Sequence, residues 1–146
     1  MKRDSAAMKR RTKAFALRIL KLYRSLPKTD EGRVLGRQVL RSGTSIGAND
    51  CAACRGRSRA EFAAKLGIVL EEADETVFWL ELIREAAIFP ETKLRDLCQE
   101  ANELVSIFCH FRPHREGFNL CNLTSGLDFT LPARSQTASS IPRGQR

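Results

Sequence analysis

Apolar residues recur three and four positions apart in four blocks of the chain, with polar residues between them. In the first block Phe15, Ile19, Leu22, Tyr23 and Leu26 fall on one helical face. This spacing predicts a helix over residues 11–26. Pro27 ends it, because its ring and missing N–H make further helix unfavourable. Thr29 or Asp30 can cap the next helix. In the second block Val34, Leu35, Val39, Leu40 and Ile46 predict a helix over 31–53, with a break near Gly43 as the alternative. The third block is the longest. Phe62, Leu66, Val69, Leu70, Ala73, Val77, Leu80, Ile83 and Ala87 predict an inner stripe over 59–88. Ser58 and Glu61 stand where a reciprocal N-terminal cap would start that helix. Phe78, Trp79 and Leu82 widen its apolar surface beyond one seam, which hints at an oligomer interface. Pro90 then opens a fourth helix over 91–111, with Leu94, Leu97, Cys98, Ala101, Leu104, Val105, Phe108 and Phe111 inside. Pro113 stops it.

Four amphipathic helices on short connections, with no convincing strand, predict an all-α, up-down antiparallel four-helix bundle over 11–112. Residues 1–10 read as a flexible basic N-terminus. From 113 to 146 periodicity gives way to Gly, Ser, Pro, Thr and Asn, the composition of a mostly disordered tail. Its apolar patch over 118–131 could dock weakly on the bundle.

The run RSGTSIGANDCAACRGRSRAE, residues 41–61, links the second helix to the third. Gly43 and Gly47 share a face, and with Ala48, Ala52 and Ala53 they leave room for a neighbouring backbone. In a membrane that glycine spacing would suggest a helix dimer. Here arginines and Asp50 interrupt any apolar run, so close packing in a soluble protein is the reading. No apolar stretch approaches the roughly 18 residues of a membrane span. The basic start reads as part of the first helix rather than as a transit peptide.

The net charge of +8 is unevenly spread. Residues 1–28 hold ten Lys and Arg against one acid, and residues 61–112 hold eleven acids against five bases. Such polarity suits a polyanionic partner, or self-association of opposite faces. Five cysteines, an odd number with no secretory signal before them, argue against a disulfide framework and for a cytoplasmic protein. Cys51 and Cys54, with His110 and His114, are too far apart in the chain for an ordinary zinc site, so they read as packing residues. Carboxylate pairs such as Glu71 and Glu75 lie on a solvated face, and no nucleophile–base arrangement is credible with two histidines. The chain reads as non-enzymatic, without cofactor or metal.

The cations carry the functional signal. Arg33, Arg37 and Arg41 lie four apart, so they can meet successive phosphates along a backbone. Arg55, Arg57 and Arg59 cluster at a helix start, and Arg10, Arg11, Lys13, Arg18 and Lys21 line the first helix. Phe15 and Tyr23 belong to the core face, so base stacking is not expected and binding would be led by the backbone.

The sequences RSGT at 41–44, SIGAN at 45–49 and EFAAKLGIVLEEADETVFWLEL at 61–82 together resemble a family of four-helix-bundle proteins. Its members are encoded in intervening sequences of bacterial large-subunit ribosomal RNA genes, and include the accessory variability determinant of diversity-generating retroelements. The resemblance spans roughly residues 11–112. It implies a homopentameric ring with a basic surface, associated in the retroelement branch with nucleic acid and a reverse transcriptase. It also marks Ser45, Ile46 and Asn49 as a helix-packing motif. Many members continue the asparagine as N-I-x-E-G, whereas Asn49 is followed here by DCAACR, so a role tied to that ending is not implied. Two functions are implied: a basic oligomeric adaptor for RNA or DNA, or a structural self-assembling bundle with no nucleic-acid role.

Overall fold

A computed structural model describes residues 4–111 of the chain. The expected tail at 113–146, with its apolar patch, lies outside the described residues. Four helices succeed one another: α1 (Ser5–Ser25), α2 (Asp30–Ala53), α3 (Arg59–Glu85) and α4 (Glu91–Phe111). No strand occurs among the described residues.

Local chemistry sets the helix ends. Leu26 is extended, with ψ 146°, because Pro27 crowds a helical residue before it. Thr29 Oγ1 accepts from the Gly32 N–H at 3.2 Å and starts α2. At α3, Ser58 Oγ accepts from the Glu61 N–H at 3.1 Å. The Glu61 carboxylate in turn accepts from the Arg57 N–H at 2.8 Å, one residue further back than the cap itself.

Two ends depart from the periodicity. Helix α1 begins at Ser5 rather than at 11, so the expected flexible segment is helical from Ser5 onward. The reason is Asp4, whose Oδ1 accepts from the Ala6 and Ala7 N–H groups at 3.0 and 3.1 Å. Those bonds, that from Ala7 foremost, hold the Asp4 carboxyl below its ordinary pKa. Helix α3 stops at Glu85 rather than at 88. Ala87 takes φ 52°, its N–H donates to the Arg84 carbonyl, and the Ile88 N–H donates to the Ile83 carbonyl. This paired pattern is a Schellman motif, and it leaves Ala87 exposed instead of in the inner stripe.

Helix α2 runs unbroken through Gly43 and packs on both α1 and α3. Its buried face is Gly32, Gly36, Val39, Ser42, Gly43, Ile46, Gly47, Asp50 and Ala53. Val34, expected inside, is 60% exposed. Glycine and serine carry little hydropathic signal, so apolar spacing alone misplaced Val34, whereas the close-packed face expected at Gly43 and Gly47 does meet α1. A Cβ placed on Gly36 would come 3.1 Å from Tyr23, one on Gly43 2.8 Å from Ile19, and one on Gly47 3.4 Å from the Thr12 carbonyl. As numbering rises along α2 it falls along α1, so the two are antiparallel. Contacts of Ser42 with Thr76 and of Gly56 with Phe62 set the same sense for α2 and α3. Arg11 bonded to Glu100 brings α1 beside α4.

The core is apolar, with Phe15, Ile19, Ile46, Leu66, Leu80, Ile83, Leu94, Leu104 and Phe108 almost wholly enclosed. A polar bridge crosses each flank of α2. Thr12 Oγ1 lies 3.3 Å from Asp50 Oδ2, and Thr76 Oγ1 lies 2.9 Å from Ser42 Oγ, all four residues being fully buried. Mutual hydrogen bonding makes their burial tolerable.

The two seam glycines have opposite expected responses. Gly47→Ala should gain helix propensity of about 1 kcal/mol at ordinary contact distance, raising the melting temperature by about 4–8 °C. Gly43→Ala drives a methyl into Ile19, whose branched side chain has little rotamer freedom in a helix. The overpacking, about 1–3 kcal/mol, should outweigh the propensity gain and lower the melting temperature. Thermal unfolding of both variants checks the sign.

At Ala87, replacement by Gly should relieve left-handed strain and stabilise the fold by roughly 0.5–1 kcal/mol, read from the urea midpoint. A lower midpoint would show that Ala87 is unstrained.

Candidate nucleic-acid interface

On α1 the core residues Thr12, Phe15, Ile19 and Leu22 leave the opposite face to Arg10, Lys13, Leu17, Lys21 and Arg24. All five are exposed. They stand three or four apart, so they form a basic stripe with one apolar member. Arg33 and Arg37 are exposed on α2 either side of the Gly36 turn. Because Gly36 packs on Tyr23 and Leu26, these arginines come level with the C-terminal end of α1. Near the other end, Lys9, Arg10 and Lys13 line a shallow cleft against Thr44, Gly47, Ala48 and Cys51. Small residues on α2 allow that cleft. Arg55, Arg57 and Arg59 are at the α2–α3 connection, at the same end of the bundle as the start of α1, and all three are exposed. Arg18 is exposed on the α4 side of α1.

Arg11 and Arg41 are not free to meet phosphate. Arg11 Nε donates to Glu100 Oε1 at 2.7 Å and Nη2 to Glu100 Oε2 at 3.2 Å, with a further bond to Glu103. The Glu100 bond is the main reason that the Arg11 pKa is raised. Arg41 Nη2 donates to Glu75, which also accepts from Trp79 Nε1 at 2.9 Å. Arg41 first, and Trp79 second, hold the Glu75 carboxyl below its ordinary range. Arg41 Nη1 lies 3.6 Å from Glu72 Oε2, too far for a good hydrogen bond. Burial therefore prevails at Glu72 and pushes its pKa up despite Arg41.

The row Arg33, Arg37, Arg41 thus does not act as one unit: its last member is folded onto α3. Arg33 Nη1 is 3.9 Å from the exposed Asp30, a pair of little energetic weight. The other candidates make no ion pair among the described residues.

Of the packing motif, Ile46 is fully buried, while Ser45 and Asn49 sit half-buried at the rim. Asn49 Nδ2 donates to the Ser45 carbonyl at 3.0 Å. Sequence reasoning missed the buried polar bridges, since Asp50 was read only as interrupting an apolar run. The signal for them was the position of Asp50, three and seven residues on from Gly47 and Gly43 and so on the same helical face.

No three His, Cys, Asp or Glu residues among those described could together hold a metal ion. His114 and Cys121 lie outside that span. Cys51, Cys54 and Cys98 are free thiols, and burial raises the pKa of Cys98. No described helix is long and apolar enough to cross a membrane.

The acidic side of α3 gives a pH test. Burial alone raises the Asp74 pKa. The folded state therefore holds this proton more tightly than the unfolded chain. Stability from it is complete below the unfolded value, about 3.9, and is lost as pH rises through the folded one. Asp74→Asn should exceed the parent in urea resistance at pH 7 by up to about 1 kcal/mol, after allowance for partial solvent screening. The two proteins should converge below about pH 3.9. A gap of equal size at both pH values would assign the effect to the amide rather than the lost charge.

No curated protein matches the chain. A solved structure from Bacteroides thetaiotaomicron, a protein of unknown function from the S23 ribosomal protein family, is similar to it at 36% identity with a TM-score of 0.68. That match covers 73% of this chain and 95% of the other. Residues 5–109 match the family described as 23S rRNA-intervening sequence protein. With the match running from the start of α1 almost to the end of α4, the chain belongs to the 23S rRNA-intervening sequence protein family.

Proposed function

We propose that this protein is a non-catalytic accessory factor that binds the backbone of RNA or DNA. It does so as a homo-oligomer, with a polymerase of the reverse transcriptase kind as a candidate protein partner. The observation that carries this reading is the exposed cationic surface of α1 and the adjoining edge of α2. Arg10, Lys13, Lys21, Arg24 and Arg37 face solvent there with no acid paired to them among the described residues. Surface charge left unpaired in this way favours release of counterions from a polyanion. Phe15 is buried and Tyr23 half-buried, so neither offers these cations a stacking platform. Recognition is then of backbone and shape, tolerant of sequence. Several copies of the stripe in one oligomer would raise avidity without new contacts.

Fluorescence anisotropy with a mixed-sequence RNA, titrated across salt, tests the reading. Affinity should fall steeply as salt rises from about 50 to 200 mM. Combined replacement of Arg10, Lys13, Lys21 and Arg37 by Gln should weaken binding by roughly tenfold or more and flatten the salt slope. Arg41→Gln should leave the slope nearly unchanged, because Arg41 is engaged with α3. Oligomers that dissociate with salt yet ignore RNA, seen by light scattering coupled to size exclusion, would instead support a purely self-assembling bundle.

A further inference from the structure

Helices α1 and α4 meet less extensively than α1 with α2, α2 with α3 or α3 with α4. Arg11 fastens their seam at one end through Glu100 and Glu103. Towards the other end the seam opens into a cleft of about 580 Å³. That volume lies within the range of small-molecule pockets, roughly 300–1,000 Å³. Leu22 of α1 and Phe89 of the α3–α4 connection give the cleft apolar surface. Arg18 and Lys21 bring cations from α1, and Lys93 brings a third from α4. Asp96 is the one carboxylate on the wall, so the local balance is positive.

This combination selects a ligand class. Three cations from two helices exceed what a single carboxylate needs and suit a phosphate monoester. Lys93 lies in the first turn of α4, where the helix end adds partial positive charge. Its Nζ lies over one face of the Phe89 ring, 5.9 Å from the centroid, so a planar ligand ring beside the cationic group would take the part of Phe89 that Lys93 leaves. A ligand carrying phosphate and a planar ring uses both. We propose that the α1–α4 cleft binds a nucleoside monophosphate, with phosphate among Arg18, Lys21 and Lys93 and the base against Phe89. This goes beyond backbone binding, because one nucleotide is held individually. The nucleotide can be free, or it can be the 5′-phosphorylated end of an RNA strand.

Isothermal titration of the full chain with adenosine 5′-monophosphate, adenosine and inorganic phosphate tests the site. The monophosphate should bind about tenfold or more tighter than adenosine. Lys93→Gln should remove that advantage, and Phe89→Leu should weaken the monophosphate while sparing inorganic phosphate. Circular dichroism confirms that both variants fold. Equal binding of monophosphate and adenosine, or no effect of Lys93→Gln, overturns the proposal. Long-RNA binding that persists in that case leaves the basic stripe standing. Two RNAs differing only in a 5′ phosphate separate the sources. A preference for the phosphorylated strand that Lys93→Gln abolishes identifies the strand end. Monophosphate binding without such a preference identifies the free nucleotide. Either result upholds the site.

Discussion

The close approach of α2 to α1 governs the rest of the bundle. Where Gly43 and Gly47 face Ile19 and Thr12, no larger side chain stands between the helices. Packing at this distance brings Thr12 within reach of Asp50 and lets a carboxylate be buried in a helix interface. It also fixes the rotation of both helices. Once Thr12, Phe15 and Ile19 face inward, Arg10, Lys13 and Lys21 must face outward. The core and the basic surface are two results of one geometric constraint.

Much of this was legible in the residue pattern. Spacing located all four helices, and Ser58 with Glu61 marked the start of α3. The features that escaped were those hydropathy does not carry. Val34 looked like core and proved exposed, because α2 buries glycine and serine instead. Asp50 was read as interrupting an apolar run and is enclosed between α1 and α2. The early start of α1 depended on a single side chain, Asp4, bonding two backbone donors. Apolar periodicity had no means of registering that.

The candidate site was legible in composition more than in arrangement. Charge counts placed the cations on the early helices, and most remain exposed there. Regular spacing alone made Arg41 equivalent to Arg33 and Arg37. Tertiary proximity to Glu72 and Glu75 made it a structural residue. Arg11 was drawn away in the same manner by Glu100 and Glu103, far off in sequence. The reverse happened at Lys93, which only the antiparallel register brings opposite Arg18 and Lys21.

The Arg11 clamp also bears on the order in which the molecule assembles. Its partner Glu100 is 89 positions along the chain, whereas Ser42 and Thr76 are 34 apart. Closing the longer loop demands more chain entropy before any contact rewards it. The α1–α4 seam is therefore the natural last event of folding and the first place for the native bundle to breathe. A clamp made of partly exposed charges makes that breathing responsive to ionic strength. The seam that frames the cleft is thus the least extensively packed junction between neighbouring helices, where local opening is expected to cost least.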